Sequence, residues 1–387
     1  MVLYEDTQIP FASSFQTPDV IMTRILYLSG SIFGGAERQL LYLVTNLNQS
    51  RYQPTVVCPD NGVFPDQLHA AGIDTVIQPL PAWRKWKYLL HRYSAASRLV
   101  RLARQRQVQL IHVSDSWHNP YSIRVARKCG IPTVSHVKAP IRPDQVTKYG
   151  FHNMSAIISI SEQYKPHFLE AGIPSDKINV IVNCVDLDAF ESTGVKQNTL
   201  RGEFPLRRFV IGMVSRIEPF KRQKEFVKIA SHVLKAYQDV SFLIIGGTQP
   251  NPNHLAYEQE LCKLISELNL ADYVTCTGHH EHMPAVMQGL NLLVTLSAGS
   301  VIPEAMAAGK PVIATPVGSA TDMIEDGKTG WIVPPLPIEA IAAKIVEVIR
   351  NPSLCDQVGR AARAHAEEHF SIAKHVAHVQ AIYDRLI

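Results

Sequence analysis

The sequence lacks several features that would assign it to a membrane-spanning or secreted class. In its 387 residues, no run approaches the roughly 20 apolar residues that a helix needs to cross a bilayer. Its first twenty residues contain Glu5 and Asp6, where a signal peptide would carry Lys or Arg, and they have no long apolar stretch. We therefore expect a protein that is not secreted, cytoplasmic and either free or held at the inner face of the membrane.

Short paired cysteine spacings and a strong excess of one charge are also missing. The six cysteines are scattered, which argues against a zinc site or a redox dithiol and favours reduced, mostly buried thiols. A formal net charge of +4 is mild for this length, so the overall charge does not indicate nucleic-acid binding. Asp186 and Asp188 form an Asp-x-Asp pair, but its place beside a linker argues against a metal site. We predict no metal and no cofactor.

What the sequence does contain is a repeated alternation of short apolar runs and amphipathic segments. Runs such as RILYLS, PTVVC and QLIHVS precede a polar stretch from Asp186 to Arg208, and runs such as FVIGMV and SFLIIGG follow it. This alternation is typical of parallel sheets covered by helices on both faces. We predict an α/β fold of two doubly wound, Rossmann-like domains over residues 21–190 and 191–366 that face a central cleft, with a helical tail over 367–387.

Ligands bind parallel sheets at the carboxyl ends of strands, so the strand-to-helix junctions are the candidate sites. In LSGSIFGGAERQLL, Gly34 and Gly35 precede a helix whose free N–H groups suit an anion, although a simple tight turn is equally consistent with them. In FVIGMVSRIEPFKRQKEF, Arg216 and Lys221 follow a strand and could neutralise a diphosphate, although a solvated loop would also carry such cations.

A third junction lies in NLLVTLSAGSVIPEAMAAGKPVIATP. We predict a glycine loop over residues 298–302 that includes Gly299, Ser300, Val301 and Ile302, followed by a helix beginning near Pro303. Glu304 in the first turn of that helix would be stabilised by the helix dipole and could accept hydrogen bonds from sugar hydroxyls. The alternative is that Glu304 is simply a favourable residue for a helix N-terminus.

The order and spacing of these junctions closely resemble the retaining glycosyltransferases of family four, which have the GT-B fold. The resemblance extends from about Arg24 to Phe370, and its most specific stretch is PEAMAAGKPVIATPVGSATDMIEDGKTGWIVPP. It implies a metal-independent transferase whose C-terminal domain binds a nucleotide-diphosphate sugar, such as a UDP-sugar or a GDP-sugar. The N-terminal domain would bind a sugar, lipid-linked or other acceptor, and the tail helix would cross back to it.

The resemblance also implies roles for individual residues. Gly34 and Gly35 would border the donor phosphates, Arg216 and Lys221 would hold the diphosphate, and Glu304 would bind the donor ribose.

Three further assignments follow from matched positions. His136, in PTVSHVKAP, would be a cleft histidine near the transferred sugar, although a lone histidine after a strand is often structural. Gly278 and His279 would contact the base, and the loop over residues 298–302 would lie against the donor. These assignments complete the predicted site.

The chain departs from the family pattern at two positions. The family usually has a second glutamate eight positions before the one matched by Glu304, but this chain has Leu296 there and no acidic residue between Asn291 and Glu304. Cys184 stands where the family commonly has glycine. A catalytically impaired protein that binds nucleotide sugars or regulates a partner enzyme is therefore an alternative, and a nucleotide-sugar epimerase is a weaker one.

One segment has cations without acids. Residues 83–106 contain eight Lys or Arg between Arg84 and Arg106, no Asp or Glu, and several interleaved aromatic residues. This composition suits peripheral contact with an anionic membrane or binding of an anionic acceptor. A solvated cationic helix is the alternative, and we predict no nucleic-acid partner because no known binding module surrounds the segment.

Overall fold

The computed structural model describes residues 22–191, 199–297 and 301–387. The elements of the first part are β1 Thr23–Leu28, α1 Gly35–Thr45, β2 Tyr52–Cys58, α2 Val63–Ala70, β3 Asp74–Ile77, α3 Leu89–Gln105, β4 Leu110–Val113, α4 Asn119–Cys129, β5 Thr133–Val137, α5 Pro143–Lys148, β6 Ala156–Ser159, α6 Lys165–Glu170, β7 Ile178–Val180 and α7 Leu187–Glu191.

The elements of the second part are α8 Thr199–Glu203, β8 Phe209–Val214, α9 Gln223–Leu234, β9 Val240–Ile245, α10 Pro252–Glu267, β10 Val274–Gly278, α11 Met283–Gly289, β11 Leu292–Thr295, α12 Val301–Ala307, β12 Val312–Ala314, α13 Ala320–Met323, β13 Trp331–Ile332, α14 Ile338–Arg350, α15 Pro352–His369 and α16 Ile372–Leu386. Short 3-10 helices include Trp86–Tyr88, Ser116–His118 and Pro219–Lys221.

Within the described residues, seven parallel strands form the N-terminal sheet in the order β3-β2-β1-β4-β5-β6-β7. Successive residues of β1 enter different cores, because Ile25 and Tyr27 pack on one face of the sheet while Leu26 and Leu28 pack on the other. Strand β1 is thus apolar on both faces, which is why its sequence is a continuous apolar run.

The C-terminal sheet repeats this arrangement. Its six described strands are parallel and follow the order β10-β9-β8-β11-β12-β13, and Phe242 and Leu243 of β9 face different cores. The strand order reverses direction between β1 and β4 and again between β8 and β11, and in such sheets the crevice at the reversal is where ligands bind. The predicted α/β fold of two doubly wound domains is confirmed.

The stretch predicted as a linker has more structure than its polar composition indicates. Helices α7 and α8 lie within it, and the side chains of Phe190 and Leu200 are buried in the core of the second domain. A few apolar residues therefore anchor the connection, because burying each contributes about 1.5–3 kcal/mol.

The tail contains a break that its composition does not reveal. Helix α15 ends at His369, α16 begins at Ile372, and the main-chain N–H of Val185 donates to the carbonyl of Phe370 (2.9 Å) beside the break. Helix α16 then packs on the N-terminal domain, where Val379, Ile382 and Tyr383 join the core beneath β1. No helix of the described residues is both long and apolar enough to cross a membrane.

Candidate functional site

The carboxylate of Glu37 lies close to the Gly34–Gly35 junction. Gly34 is extended (φ −156°) and precedes α1, so its conformation alone does not require glycine. A Cβ atom at Gly34 would lie 3.3 Å from Glu37 Oε2, and one at Gly30 would lie 3.4 Å from Oε1. A Cβ at Gly34 would therefore require the Glu37 carboxylate to shift by a few tenths of an ångström, whereas a Cβ at Gly30 would be in ordinary van der Waals contact with it.

Lys138 fixes the same junction from the opposite side. Its Nζ donates to the carbonyl of Ala36 and to Ser114 Oγ, both at 2.7 Å. Burial lowers the pKa of Lys138 to about 8, and the negative charges of Glu37 and Asp115 oppose this shift. Burial raises the pKa of Glu37, while Lys138 and, from the second domain, Arg216 act in the opposite direction. The sequence analysis missed both Lys138 and Glu37.

The predicted diphosphate cations both lie at the carboxyl end of β8. Arg216 is half exposed and contacts the buried carboxylate of Glu218 at 3.1 Å. Lys221 ends the short 3-10 helix that follows, and burial lowers its pKa, an effect that the neighbouring Arg216 increases and Glu218 opposes. Because Arg216 also acts on Glu37, the cation-bearing loop of the second domain faces the glycine junction of the first.

Gly246 shapes this loop and was also missed. It has φ of +141° at the end of β9, and a Cβ atom there would lie 2.0 Å from the carbonyl oxygen of Ser215. Only glycine permits the backbone before Arg216 to approach so closely. Gln223 supports the same loop by donating to Ser215 Oγ (3.0 Å) and to the carbonyl of Arg216 (2.8 Å).

Glu304 forms an ion pair across the cleft. Its Oε1 accepts a hydrogen bond from Arg38 Nη1 of α1 at 2.6 Å, with 14% of the Glu304 side chain and 30% of the Arg38 side chain exposed. Burial raises the pKa of Glu304, and Arg38 opposes the shift. The carboxylate predicted to bind ribose thus has an arginine from the other domain as its partner, and that partner is a residue of the FGGAERQLL motif.

The loop before Glu304 differs from its prediction. Helix α12 begins at Val301, so the prediction of a loop through Ile302 was wrong, because the side chains of Val301 and Ile302 are buried in the second domain's core. Gly299 and Ser300 lie outside the described residues. Leu296 is only 2% exposed and packs in the core, so this position supplies an apolar contact rather than a carboxylate.

His136 lies inside the N-terminal domain. It is 2% exposed in β5, and neither ring nitrogen has a hydrogen-bond partner among the described residues. Its ring lies 5.5 Å from that of His112 and 6.2 Å from that of His375 on α16. Burial, with a further contribution from Lys138, lowers the pKa of His136 well below its usual value, so the imidazole is neutral at pH 7. Its role near the transferred sugar stays a prediction.

The predicted base-contacting pair follows β10. Gly278 has φ of +77°, and its carbonyl accepts a hydrogen bond from the N–H of Gly246 at 2.8 Å. His279 is exposed directly after it. The ends of β8, β9 and β10 therefore bring Arg216, Gly246 and His279 to one edge of the C-terminal sheet.

Cys184 and Asp186, which the sequence analysis singled out, both have hydrogen-bond partners in the N-terminal domain. The main-chain N–H of Cys184 donates to Gln39 Oε1 (2.9 Å), and its carbonyl accepts from Gln39 Nε2 (2.8 Å), so the segment between β7 and α7 is bound to α1. Asp186 Oδ1 accepts from the N–H of Ala189 (3.2 Å) and caps α7. Among the described residues, no group of three His, Cys, Asp or Glu side chains is arranged to hold a metal ion.

Family models divide the chain in the same way as its two sheets. Residues 33–189 match the model described as Glycosyltransferase Family 4, and residues 197–365 match that of glycosyl transferases group 1. The chain belongs to glycosyltransferase family 4. The matched ranges include the glycine junction, the strand-end cations and Glu304.

Individual relatives are distant. The chain is 25% identical over 54% of its length to the alpha-D-kanosaminyltransferase of Streptomyces kanamyceticus, of which it covers 55%. It is 26% identical over 55% of its length to the GDP-mannose-dependent alpha-(1-6)-phosphatidylinositol monomannoside mannosyltransferase of Mycolicibacterium smegmatis, of which it covers 57%. The matches thus span just over half of these two relatives.

Among solved structures, Anabaena HepE in complex with UDP and glucose has the same fold. Its TM-score is 0.83 at 22% identity, with 94% of this chain and 100% of that chain covered.

Proposed function

We propose that this family 4 protein transfers a sugar from a nucleotide-diphosphate donor, held by its C-terminal domain, to an acceptor on its N-terminal domain. The observation that carries this proposal is the convergence at one cleft of Arg216, Lys221 and Glu304 from the second domain with Glu37 and Arg38 from the first. In this proposal the cations hold the departing diphosphate, and the carboxylate of Glu304 accepts hydrogen bonds from the ribose hydroxyls.

The proposed chemistry relies on charge. Breaking the bond between the sugar and the phosphate builds positive charge on the sugar and negative charge on the departing diphosphate. Arg216 and Lys221 would stabilise that diphosphate from fixed positions, as preorganised charges do in enzymes generally. We include retention of the anomeric configuration and metal independence in the proposal, and NMR of the product anomer and assays with a chelator would test them.

The donor and acceptor are proposed at the level of class. The mycobacterial relative is GDP-mannose-dependent by its name, and HepE was solved with UDP, so a UDP-sugar or a GDP-sugar is the proposed donor. The acceptor is a sugar, a lipid-linked sugar or another hydroxyl-bearing molecule. Synthesis of a glycan, a glycolipid or a cell-surface polysaccharide is the proposed setting.

A thermal-shift screen with nucleoside diphosphates and their sugars tests the proposal, because a ligand of the native state raises stability. We expect either the uridine or the guanosine series to raise the melting temperature. Donor turnover by the purified protein should then follow for the sugar form of that nucleotide. A protein stabilised by neither series would contradict the proposal.

A non-catalytic binding or regulatory protein is the second candidate. It is favoured by Leu296, whose burial leaves the position of the family's second glutamate without a carboxylate. The two candidates differ in one assay. Binding of the sugar donor without hydrolysis or transfer to any offered acceptor would favour the binding protein, whereas turnover would exclude it.

We also propose peripheral contact of residues 83–106 with the anionic inner face of the membrane. Trp86 and Leu90 are each 81% exposed beside the segment's cations, whereas Ala95, Ala96 and Leu99 on the other side of α3 are buried. Co-sedimentation with liposomes should increase with anionic lipid and decrease with salt, because charges are screened within about 8–10 Å at ordinary ionic strength. Equal binding to neutral vesicles would contradict this.

A further inference from the structure

A cavity lies in the N-terminal domain, outside the residues assigned to the donor. It has a volume of about 530 Å³ and lies between the segment before α3, helix α4 and the end of α5. This size is within the usual range for small-molecule sites, roughly 300–1,000 Å³. Pro120, in the first turn of α4, is among the residues that line it.

The lining of this cavity is cationic and aromatic. It contains five cations and three aromatic rings and, among the described residues, no Asp or Glu: Arg84, Arg124, Arg127, Lys128, Lys148, Trp83, Tyr93 and Tyr149. Only Arg84 and Trp83, with Tyr93, belong to the basic segment noticed in the sequence. The other cations come from α4 and α5, so the cluster is a product of the fold.

Aromatic rings, rather than carboxylates, hold these arginines. The guanidinium of Arg84 lies 4.6 Å from the ring centroid of Tyr149, and that of Arg124 lies 4.9 Å from the centroid of Tyr93. Arg127 donates to the neutral Asn153 at 2.7 Å. The nearby Asp144, one turn before Lys148, forms its ion pair with Arg142 at 3.0 Å; Arg142 lowers the pKa of this carboxyl most, and the more distant charge of Lys148 contributes. The charge of the cavity is therefore not cancelled by an ion pair with any described carboxylate.

We propose that this cavity binds a phosphate or diphosphate ester of a sugar or cyclitol, the anionic end of the acceptor. Five clustered cations carry more positive charge than one carboxylate can neutralise. The oxygens of a phosphate accept bidentate hydrogen bonds from arginine, and their negative charge attracts the point charge of lysine. Aromatic faces beside them suit the apolar face of a sugar ring. The inference rests on the proposed function, because that function includes an acceptor bound to the N-terminal domain.

Binding of inorganic pyrophosphate tests the cavity, with the donor site first saturated by the nucleoside diphosphate selected in the thermal-shift screen. We expect Arg124→Gln to raise the dissociation constant about tenfold or more, because a charge-assisted contact is lost. Lys148→Gln, at an exposed position, should weaken binding with little risk to folding. Arg101→Gln is the matched control, because Arg101 is exposed on α3 outside the cavity, and its effect should stay within about twofold.

Equal losses in Arg101→Gln and Arg124→Gln would overturn the proposal, because they would indicate a diffuse basic surface. No binding of pyrophosphate to the wild type would overturn it as well. If no nucleotide stabilises the protein, the proposed function fails, but pyrophosphate binding without nucleotide still decides the cavity. The two failures are thus distinguishable.

Two probes identify the source of the phosphate. Glucose 1-phosphate represents a soluble ester, and vesicles containing phosphatidylinositol represent a lipid headgroup, with phosphatidylserine vesicles as the control for charge alone. Binding of glucose 1-phosphate or of phosphatidylinositol vesicles that is stronger than binding of phosphatidylserine vesicles, and that is lost in Arg124→Gln, supports the proposal. The probe that binds identifies the source of the phosphate. Vesicle binding that ignores Arg124→Gln and Lys148→Gln contradicts it.

Discussion

The two sides of the cleft use charge differently. On the C-terminal side, Arg216 is half exposed on a loop, and its position depends on the close backbone approach at Gly246. On the N-terminal side, Lys138 and Glu37 are partly buried, and Lys138 donates a hydrogen bond to the carbonyl of Ala36 at the start of α1. Substitution of Arg216 should therefore change ligand binding and turnover, whereas substitution of buried titratable groups on the N-terminal side should change stability and its pH dependence.

The largest expected effect is on the C-terminal side. Lys221→Ala or Arg216→Ala should lower donor turnover by two or more orders of magnitude, about 3 kcal/mol of transition-state stabilisation, because each removes a charge from the departing diphosphate. Lys228→Ala, an exposed change on α9, is the control for net charge. Steady-state kinetics decide, and near-normal turnover in both variants would remove these residues from the site.

The next effect belongs to the buried histidines of the N-terminal side. Burial lowers the pKa of His375 from 6.5 to about 4, so between these values the unfolded chain binds a proton that the folded chain does not. This contribution to stability is complete above pH 6.5 and is lost as the pH falls toward 4. The loss amounts to about 3 kcal/mol.

His375→Gln should therefore lose less stability than the wild type when urea unfolding is compared at pH 7 and pH 4. The raised pKa values of Glu37 and Glu304 act in the opposite direction, but they are present in both proteins and cancel in the comparison. His69→Gln, at an exposed position on α2, is the control. Identical acid losses in wild type and His375→Gln would show that this histidine is not buried as described.

A third prediction concerns the backbone of the C-terminal side. Gly246→Ala should destabilise the protein by about 1–3 kcal/mol and weaken nucleotide binding, because the new Cβ atom would collide with the Ser215 carbonyl and displace Arg216. Gly202→Ala is the matched control, since a Cβ atom at that position has no heavy atom within 4 Å. Thermal melts and calorimetry of both variants check it, and equal behaviour of the two would contradict the close approach.

The smallest effect is expected for the ion pair that joins the two sides. Arg38→Gln removes the arginine that pairs with Glu304. Glu304 then does not have to give up this partner when it binds the ribose hydroxyls, so the affinity for a nucleoside diphosphate should rise, but by less than about tenfold. The change in affinity is modest because the free energy lost with the Arg38–Glu304 ion pair is offset by better solvation of the Glu304 carboxylate. Calorimetry measures it, and a loss of a hundredfold would mean that Arg38 itself binds the donor.

The sequence predicted features that depend on local patterns, but not those that depend on contacts between distant residues. Both sheets were predicted, because most of their strands are short apolar runs in the sequence, and Arg216, Lys221 and Glu304 belong to short motifs read in order. Pairing of Arg38 with Glu304 joins residues 266 positions apart, which no local pattern reveals. Gly246 was missed because its need for glycine arises from the carbonyl of Ser215, which directly follows β8 and is distant in sequence.

The central claim is that Glu304 binds the ribose while Leu296 leaves the donor sugar without its usual carboxylate. Calorimetry of the wild type and Glu304→Ala with a nucleoside diphosphate and its sugar tests it most directly. We predict that the wild type binds both ligands within about tenfold of each other, and that Glu304→Ala weakens both alike, since each lost charged hydrogen bond costs roughly 1.5–3 kcal/mol. A sugar donor bound a hundredfold more tightly than its diphosphate, or unchanged affinity in Glu304→Ala, would contradict it.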